Sequence, residues 1–257
     1  MKKNHLNRVS QTPGTTLPAS VVRGCGTPAD TVLNKKPSAQ VVRIMPLGDS
    51  ITYDNRRNDI RPVGVRIAYR YELYRLLKSA GYVFTFVGSE NAGERYLSRE
   101  MDANAGFPGT TSHQLAGLIR TGYSDRSSRQ ITPGPYLETH PADIILLHIG
   151  TNGLEPGADG VEDIVDSIRA SDRSVYIIVA RIIDHYPHSE VVSTFNDNVE
   201  AMVKARNDNR ISVVDMERGA GIDYSTDMAD DLHPNHLGYR KMAAVWYEAL
   251  INLRSTP

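Results

Sequence analysis

Short apolar runs alternate with longer stretches of helical periodicity along most of the chain. Residues 41–47 form a first apolar run that ends at Gly48. Residues 65–80 carry Ile67, Tyr71, Leu73, Tyr74 and Leu77 at helical spacing, with Gly81 as a stop. The β-branched and aromatic run 82–87 follows, closed by Gly88. A short helix is predicted over 111–120, and 143–149 is almost wholly apolar, as expected of a strand buried on both faces. Helix 161–170, strand 174–180, helix 191–207, strand 211–214 and an amphipathic closing helix over 236–253 complete the series. Five strands alternating with helices predict an α/β fold, a five-stranded parallel sheet with helices on both faces. The longest irregular stretches are 52–64, 88–108 and 122–141, and long loops inside a compact domain tend to carry function.

Residues 1–40 break the pattern. They hold six Lys or Arg against one acid, Asp30, whereas the remaining chain holds twenty-three against twenty-nine. Rich in Pro, Thr, Ser and Asn, they read as a flexible or surface-draped tail, leaving 41–257 as the folded domain. Over all 257 residues the net charge is -1, which gives no electrostatic reason to expect a nucleic acid partner. One cysteine, Cys25, excludes an internal disulfide and a cysteine-based zinc site. No apolar run approaches the length of a membrane span. Met1-Lys2-Lys3 leads into polar residues with no apolar segment, so the chain as written is expected to carry no secretory signal. The default compartment is then cytoplasmic, with export open to a chain that starts further upstream.

Four positions carry candidate chemistry. In Gly48-Asp49-Ser50 a strand runs into a glycine-led turn, and ligands of open α/β sheets gather at the carboxyl ends of strands. A serine there sits where substrate would sit, although a lone Gly-Asp-Ser is more often a capped turn. Asp230-Asp231-Leu232-His233-Pro234 places an acid three residues, or two, before a histidine. A serine hydroxyl needs a base to take its proton, and the base needs an acceptor on its other ring nitrogen. Gly150-Thr151-Asn152-Gly153 closes the most apolar strand, and a side-chain amide there can donate to an oxyanion or bond its own turn. Gly109, in the loop before helix 111–120, lets a backbone N–H approach a ligand closely or serves as helix entry.

These signals gain weight from their order along the chain: serine, glycine, asparagine, histidine. With these motif strings the chain, over residues 41–253, resembles the SGNH (GDSL-like) hydrolases. The resemblance implies a three-layer α/β/α, flavodoxin-like fold and a serine esterase that works without metal or cofactor. Carried over by position, Ser50, Asp230 and His233 would form the catalytic triad. The Ser50 and Gly109 N–H groups and the Asn152 side chain would form the oxyanion hole. The segment 43–52, the Tyr/Arg-rich helix after it and Leu146-Leu-His-Ile-Gly-Thr-Asn152 are similar to the carbohydrate esterases of family three, acetylxylan esterases among them. The family usually has Asp after the motif Asn, where this chain has Gly153.

The function expected is hydrolysis of short acyl esters, acetyl first, on small-molecule or carbohydrate alcohols through an acyl-serine. Tyr53, Asp49 and Tyr186 are candidate substrate contacts, and Tyr96 another ring for stacking on sugars. A lysophospholipase or thioesterase would need an extended apolar acyl channel, and the loops 54–59 and 90–95 are polar. A non-catalytic carbohydrate-binding protein is the alternative from another class. Gly24-Cys25-Gly26-Thr27-Pro28-Ala29 fits a dinucleotide loop poorly because Pro28 interrupts it. His185 with His188 and His233 with His236 are spaced three apart, yet read as loop histidines rather than zinc ligands; His148 reads as a satisfied core histidine.

Overall fold

A computed structural model of the chain describes residues 40–124 and 131–255. The tail expected over residues 1–40 lies outside the described residues except for Gln40, and the Gly24–Ala29 dinucleotide pattern lies there entirely.

The chain begins with β1 (Val42–Gly48), α1 (Ser50–Tyr53), α2 (Arg70–Ser79), β2 (Phe84–Phe86), β3 (Glu90–Asn91) and β4 (Ala103–Gly106). It continues through α3 (Ser112–Thr121), β5 (Gly122–Ser124), β6 (Ile131–Pro133), α4 (Tyr136–Thr139) and β7 (Ile144–His148). The last elements are α5 (Asp159–Ser171), β8 (Tyr176–Arg181), α6 (Glu190–Arg206), β9 (Ile211–Asp215) and α7 (His236–Ser255).

The main sheet has the order β3-β4-β1-β7-β8-β9, with β2 also paired to β1. One edge of β1 serves two partners in turn: Val42–Ile44 pair with β2, then Leu47 and Gly48 pair with β4. β7, β8 and β9 follow in parallel on the other side. Side chains alternate across this sheet as its pleat requires. Met45, Leu47, Ile145, Leu147, Ile177 and Val179 face one core with Leu115 of α3, Ile164 of α5 and Phe195 of α6. Ile44, Ile144, Leu146, Ile178 and Ala180 face the other with Leu73 of α2 and Trp246 of α7. The result is the expected α/β/α sandwich. Leu147 has no exposed surface, and truncating such a residue to alanine costs about 2–5 kcal/mol.

The sheet differs from the expected one in size and kind. All five expected strands are present, but the stretch 88–108 adds β3 and β4, and β3 runs antiparallel to β4, so the sheet is mixed and seven-stranded. Each of these pairings spans only two residue pairs, too short to leave a period in the sequence. Their stability comes from elsewhere: Arg70, wholly buried on α2, donates to the Ala92 carbonyl at 3.0 Å and the Asp102 carbonyl at 3.2 Å. The helix expected from residue 65 starts only at Arg70. Ala68 takes a left-handed φ of 45°, and the N–H groups of Ile67 and Ala68 go to the Asp54 carboxylate rather than into a helix. Within 122–141, expected to be irregular, β5 and β6 pair and α4 forms a short turn of helix.

Candidate active site

Three parallel strands end level with one another. Gly48 of β1 is in register with Gly106 of β4 and with His148 of β7. Ser50 follows two residues after the first of these ends, Gly109 three after the second and Asn152 four after the third. Open parallel sheets bind ligands at such an edge. A Cβ on Gly48 would lie 2.1 Å from the His148 carbonyl oxygen, so only glycine lets β1 and β7 approach this closely before the turn.

Ser50 is the first residue of α1, so the helix makes no use of its N–H. Its Oγ lies 3.0 Å from His233 Nε2, in a buried pair. His233 Nδ1 lies 2.9 and 3.0 Å from the two oxygens of Asp230. The choice between Asp230 and Asp231 therefore falls on Asp230; Asp231 instead accepts the Tyr186 N–H on its carbonyl at 2.9 Å. Asp230 also accepts the N–H groups of Leu232 at 2.9 Å and His233 at 2.8 Å. Burial pushes the Asp230 carboxyl up, but these two N–H groups and the His233 ring outweigh it and hold the group below the ordinary carboxylate range. An ionised Asp230 on Nδ1 fixes the tautomer whose free Nε2 faces Ser50.

Phe107 N–H bonds the Gly48 carbonyl at 2.9 Å, which carries the loop after β4 across to the Ser50 turn. Gly109 sits in that loop with φ 81°, exposed. Asn152 Nδ2 donates to the Thr110 carbonyl at 3.2 Å, which leaves its second N–H for another acceptor. The sequence-derived residues Ser50, Gly109, Asn152, Asp230 and His233 are thus all brought to the same sheet edge. Gly153, where the family usually has Asp, takes φ 58°, and a Cβ there would stand 3.0 Å from Thr111 Cγ2.

The three candidate substrate contacts fare differently. Tyr186 is 60% exposed and its backbone is tied to the Asp230–His233 loop. Tyr53 is half-buried, with the Arg66 guanidinium 5.9 Å from its ring centre. Asp49 needs correction as a substrate contact: it has no exposed surface, and its Oδ1 caps α1 by accepting the Ile51 N–H at 2.9 Å. Burial pushes its carboxyl up to about 7, against the opposing pull of the Ile51 N–H and of Thr151.

His148 is half satisfied rather than fully. Its Nε2 accepts the Ile183 N–H at 3.3 Å, which puts the proton on Nδ1, and Nδ1 is buried without a partner. Burial lowers its pKa to about 4, so the ring is neutral. His188 pairs with Asp184 and lies 3.4 Å from Glu190. Among the described residues no three His, Cys, Asp or Glu side chains are grouped as metal ligands, and no helix is long and apolar enough to cross a membrane.

Residues 46–241 match the model of the GDSL-like Lipase/Acylhydrolase family. The chain is 30% identical over 238 residues to a "Multidomain esterase" of Ruminococcus flavefaciens, covering 83% of this chain and 29% of that protein. It therefore spans well under two thirds of that curated relative. Among solved structures, a family 3 carbohydrate esterase of Clostridium thermocellum is 31% identical at a TM-score of 0.67, covering 84% of this chain and 98% of the other. A carbohydrate esterase of family 3 from Talaromyces cellulolyticus shares the fold at 23% identity and a TM-score of 0.64, over 83% of this chain and 98% of its own.

Proposed function

The chain belongs to the GDSL-like lipase/acylhydrolase family, and we propose that it is a serine esterase of the SGNH type that hydrolyses short acyl esters, acetyl above all, on polar alcohols such as carbohydrates. The observation that carries this reading is the relay of hydrogen bonds from Ser50 through His233 to both oxygens of Asp230. The carbohydrate side of the proposal draws on the 31% identity to a protein named a family 3 carbohydrate esterase.

In this mechanism His233 Nε2 takes the Ser50 proton as Oγ attacks the ester carbonyl. The tetrahedral oxygen is held by the N–H groups of Ser50 and Gly109 and by the free N–H of Asn152. His233 then protonates the departing alcohol. A water enters, gives its proton to the same nitrogen, and releases the acid from the acyl-serine. Asp230 stays ionised, orients the ring and stabilises the imidazolium formed in both halves.

Hydrolysis of p-nitrophenyl acetate, butyrate, octanoate and palmitate tests the proposal, with wild type beside Ser50→Ala. Serine-dependent rates that fall steeply with chain length are expected. A maximum at long chains would overturn the short-acyl assignment in favour of a lysophospholipase or thioesterase. Absence of serine-dependent hydrolysis would favour a carbohydrate-binding role instead.

A further inference from the structure

A cavity of about 350 Å³ opens between the loop that follows α1, the outer face of α2 and the first turn of α7. Four arginines line it, Arg56, Arg61, Arg75 and Arg240, with His236, against two acids, Asp54 and Glu72. Two of the arginines are committed. Arg61 holds Asp54 at 2.8 Å and Asp59 at 2.6 Å, and Arg75 holds Glu72 at 3.0 Å. Asp54 is fully engaged as well, by Arg61 and the two N–H groups of Ile67 and Ala68. Arg56 and Arg240 pair with no carboxylate among the described residues.

Two polar atoms in the same wall are buried without a partner, the Tyr239 hydroxyl and Arg56 Nε. Tyr239 is 3% exposed, and burial above all, with Asp54 and Asp49 behind it and Arg56 and Arg61 opposing, pushes its hydroxyl well above the usual phenol range, so it stays a neutral donor. Nearly all buried polar groups in folded proteins find a partner, so an orphan hydroxyl on a residue that lines a cavity is a donor still to be matched. The unused groups are a phenol O–H, a buried N–H and two guanidinium charges. Arginine can only donate, so the complementary occupant is an acceptor carrying negative charge.

We propose that this cavity binds a small oxyanion, a carboxylate or a phosphate, held by Arg56, Arg240 and the Tyr239 hydroxyl. Its walls belong to the segments that carry the proposed nucleophile and base. The Asp54 N–H caps α1 on the Ser50 carbonyl at 2.8 Å, Arg57 N–H reaches Asp230 Oδ2 at 3.4 Å, and His236 follows His233 by three residues. The anion can therefore come from two sources, an acidic group on the ester substrate itself or a free anion that tunes the site from behind.

Calorimetric titration of the full chain with inorganic phosphate and, separately, with glucuronate, at pH 7 and low salt, tests the binding without using catalysis. A failed esterase assay thus leaves this test standing. Saturable binding of at least one of the two is expected, weakened tenfold or more in Arg56→Gln and in Arg240→Gln and less in Tyr239→Phe. Arg240 is exposed and Tyr239→Phe removes only an unpartnered hydroxyl, so these two variants should fold. No saturation by either anion in the wild type, or the same affinity in wild type and Arg240→Gln, would overturn the proposal. Rates on an acetylated uronate and on p-nitrophenyl acetate separate the sources. A tenfold loss in kcat/KM confined to the uronate in Arg240→Gln identifies the substrate's own carboxylate. A change in p-nitrophenyl acetate turnover with added phosphate, absent in Arg240→Gln, identifies a free anion.

Discussion

Ser50 Oγ and His233 Nε2 lie 3.0 Å apart although 183 positions separate them in the chain. The fold makes this meeting in two steps. β1 delivers Ser50 to the carboxyl edge of the sheet, where a glycine at position 48 lets the strand lie against the His148 carbonyl. The loop before α7 is then folded onto itself, with Ala229 N–H on the His233 carbonyl at 2.7 Å and Asn235 N–H on the Asp227 carbonyl at 2.8 Å. His233 is thereby held at 6% exposure with both ring nitrogens engaged. A base fixed in this way needs little reorganisation to take the serine proton.

Ser50→Ala tests the nucleophile. It removes one oxygen from a buried pair and keeps the Ser50 backbone N–H in place, so the fold should persist. Turnover of p-nitrophenyl acetate should fall by at least about three orders of magnitude with the melting temperature nearly unchanged. Activity within tenfold of wild type would remove Ser50 from the mechanism.

The motif residues were legible because each stands at a break that the local pattern marks: Gly48-Asp49-Ser50 after an apolar run, Asn152 after the most apolar strand, Asp230 and His233 just before a helical period begins. The roles of their neighbours were not. Asp49 reads as a polar residue at a ligand edge, and only the closed structure shows its carboxyl turned inward onto the Ile51 N–H. β3 and β4 left no period because each pairs through two residues and depends on Arg70, whose guanidinium reaches carbonyls 22 and 32 positions away. The delayed start of α2 likewise follows from Asp54 taking two N–H groups 13 and 14 residues on. Local sequence encodes the ends of elements; contacts of this range have no local signature.

Asp230→Asn tests the orienting acid. Asparagine offers one acceptor where the carboxylate offers two, and its NH₂ can face His233 Nδ1 and favour the wrong tautomer. Turnover should drop by about 10⁴, the scale seen when a triad acid is replaced by its amide. Stability should change too. The folded-state pKa of Asp230 lies below its unfolded value, so the ionised group contributes stability that is present above the ordinary carboxylate range and lost as pH falls through the lowered value. The variant should therefore melt lower than wild type at pH 7, and the gap should close in strong acid. A gap that widened on acidification would contradict the assigned shift.

Asp49 gives the opposite pH dependence. Its folded-state pKa is raised to about 7, with burial as the main cause. Below pH 4 the carboxyl is protonated in both states and costs nothing. As pH rises from about 4 to 7 the unfolded chain ionises first, so stability declines across that window, by a few kcal/mol at most on the order given by the shift. Asp49→Asn keeps the acceptor for the Ile51 N–H and removes the titration. Its unfolding free energy should be flatter than that of wild type between pH 4 and 8 in urea titrations. Identical slopes for the two proteins would show that Asp49 does not titrate there.

Asn152 is proposed to act on charge that develops only in the transition state, and this separates its kinetic signature from that of a binding residue. Its amide gives one N–H to the Thr110 carbonyl at 3.2 Å, and the other is free for the oxyanion. Asn152→Ala should lower kcat by about a hundredfold and leave KM within a fewfold, because the ground-state carbonyl makes little use of that donor. Asn152→Asp preserves shape but inverts the chemistry, presenting a carboxylate to both the Thr110 carbonyl and the oxyanion. Its kcat at pH 7 should fall below that of Asn152→Ala, even though more of the side chain remains. Steady-state kinetics of both variants on p-nitrophenyl acetate decide the point. If Asn152→Asp were the more active of the two, the amide would be acting through packing, and the third oxyanion donor would have to be sought elsewhere.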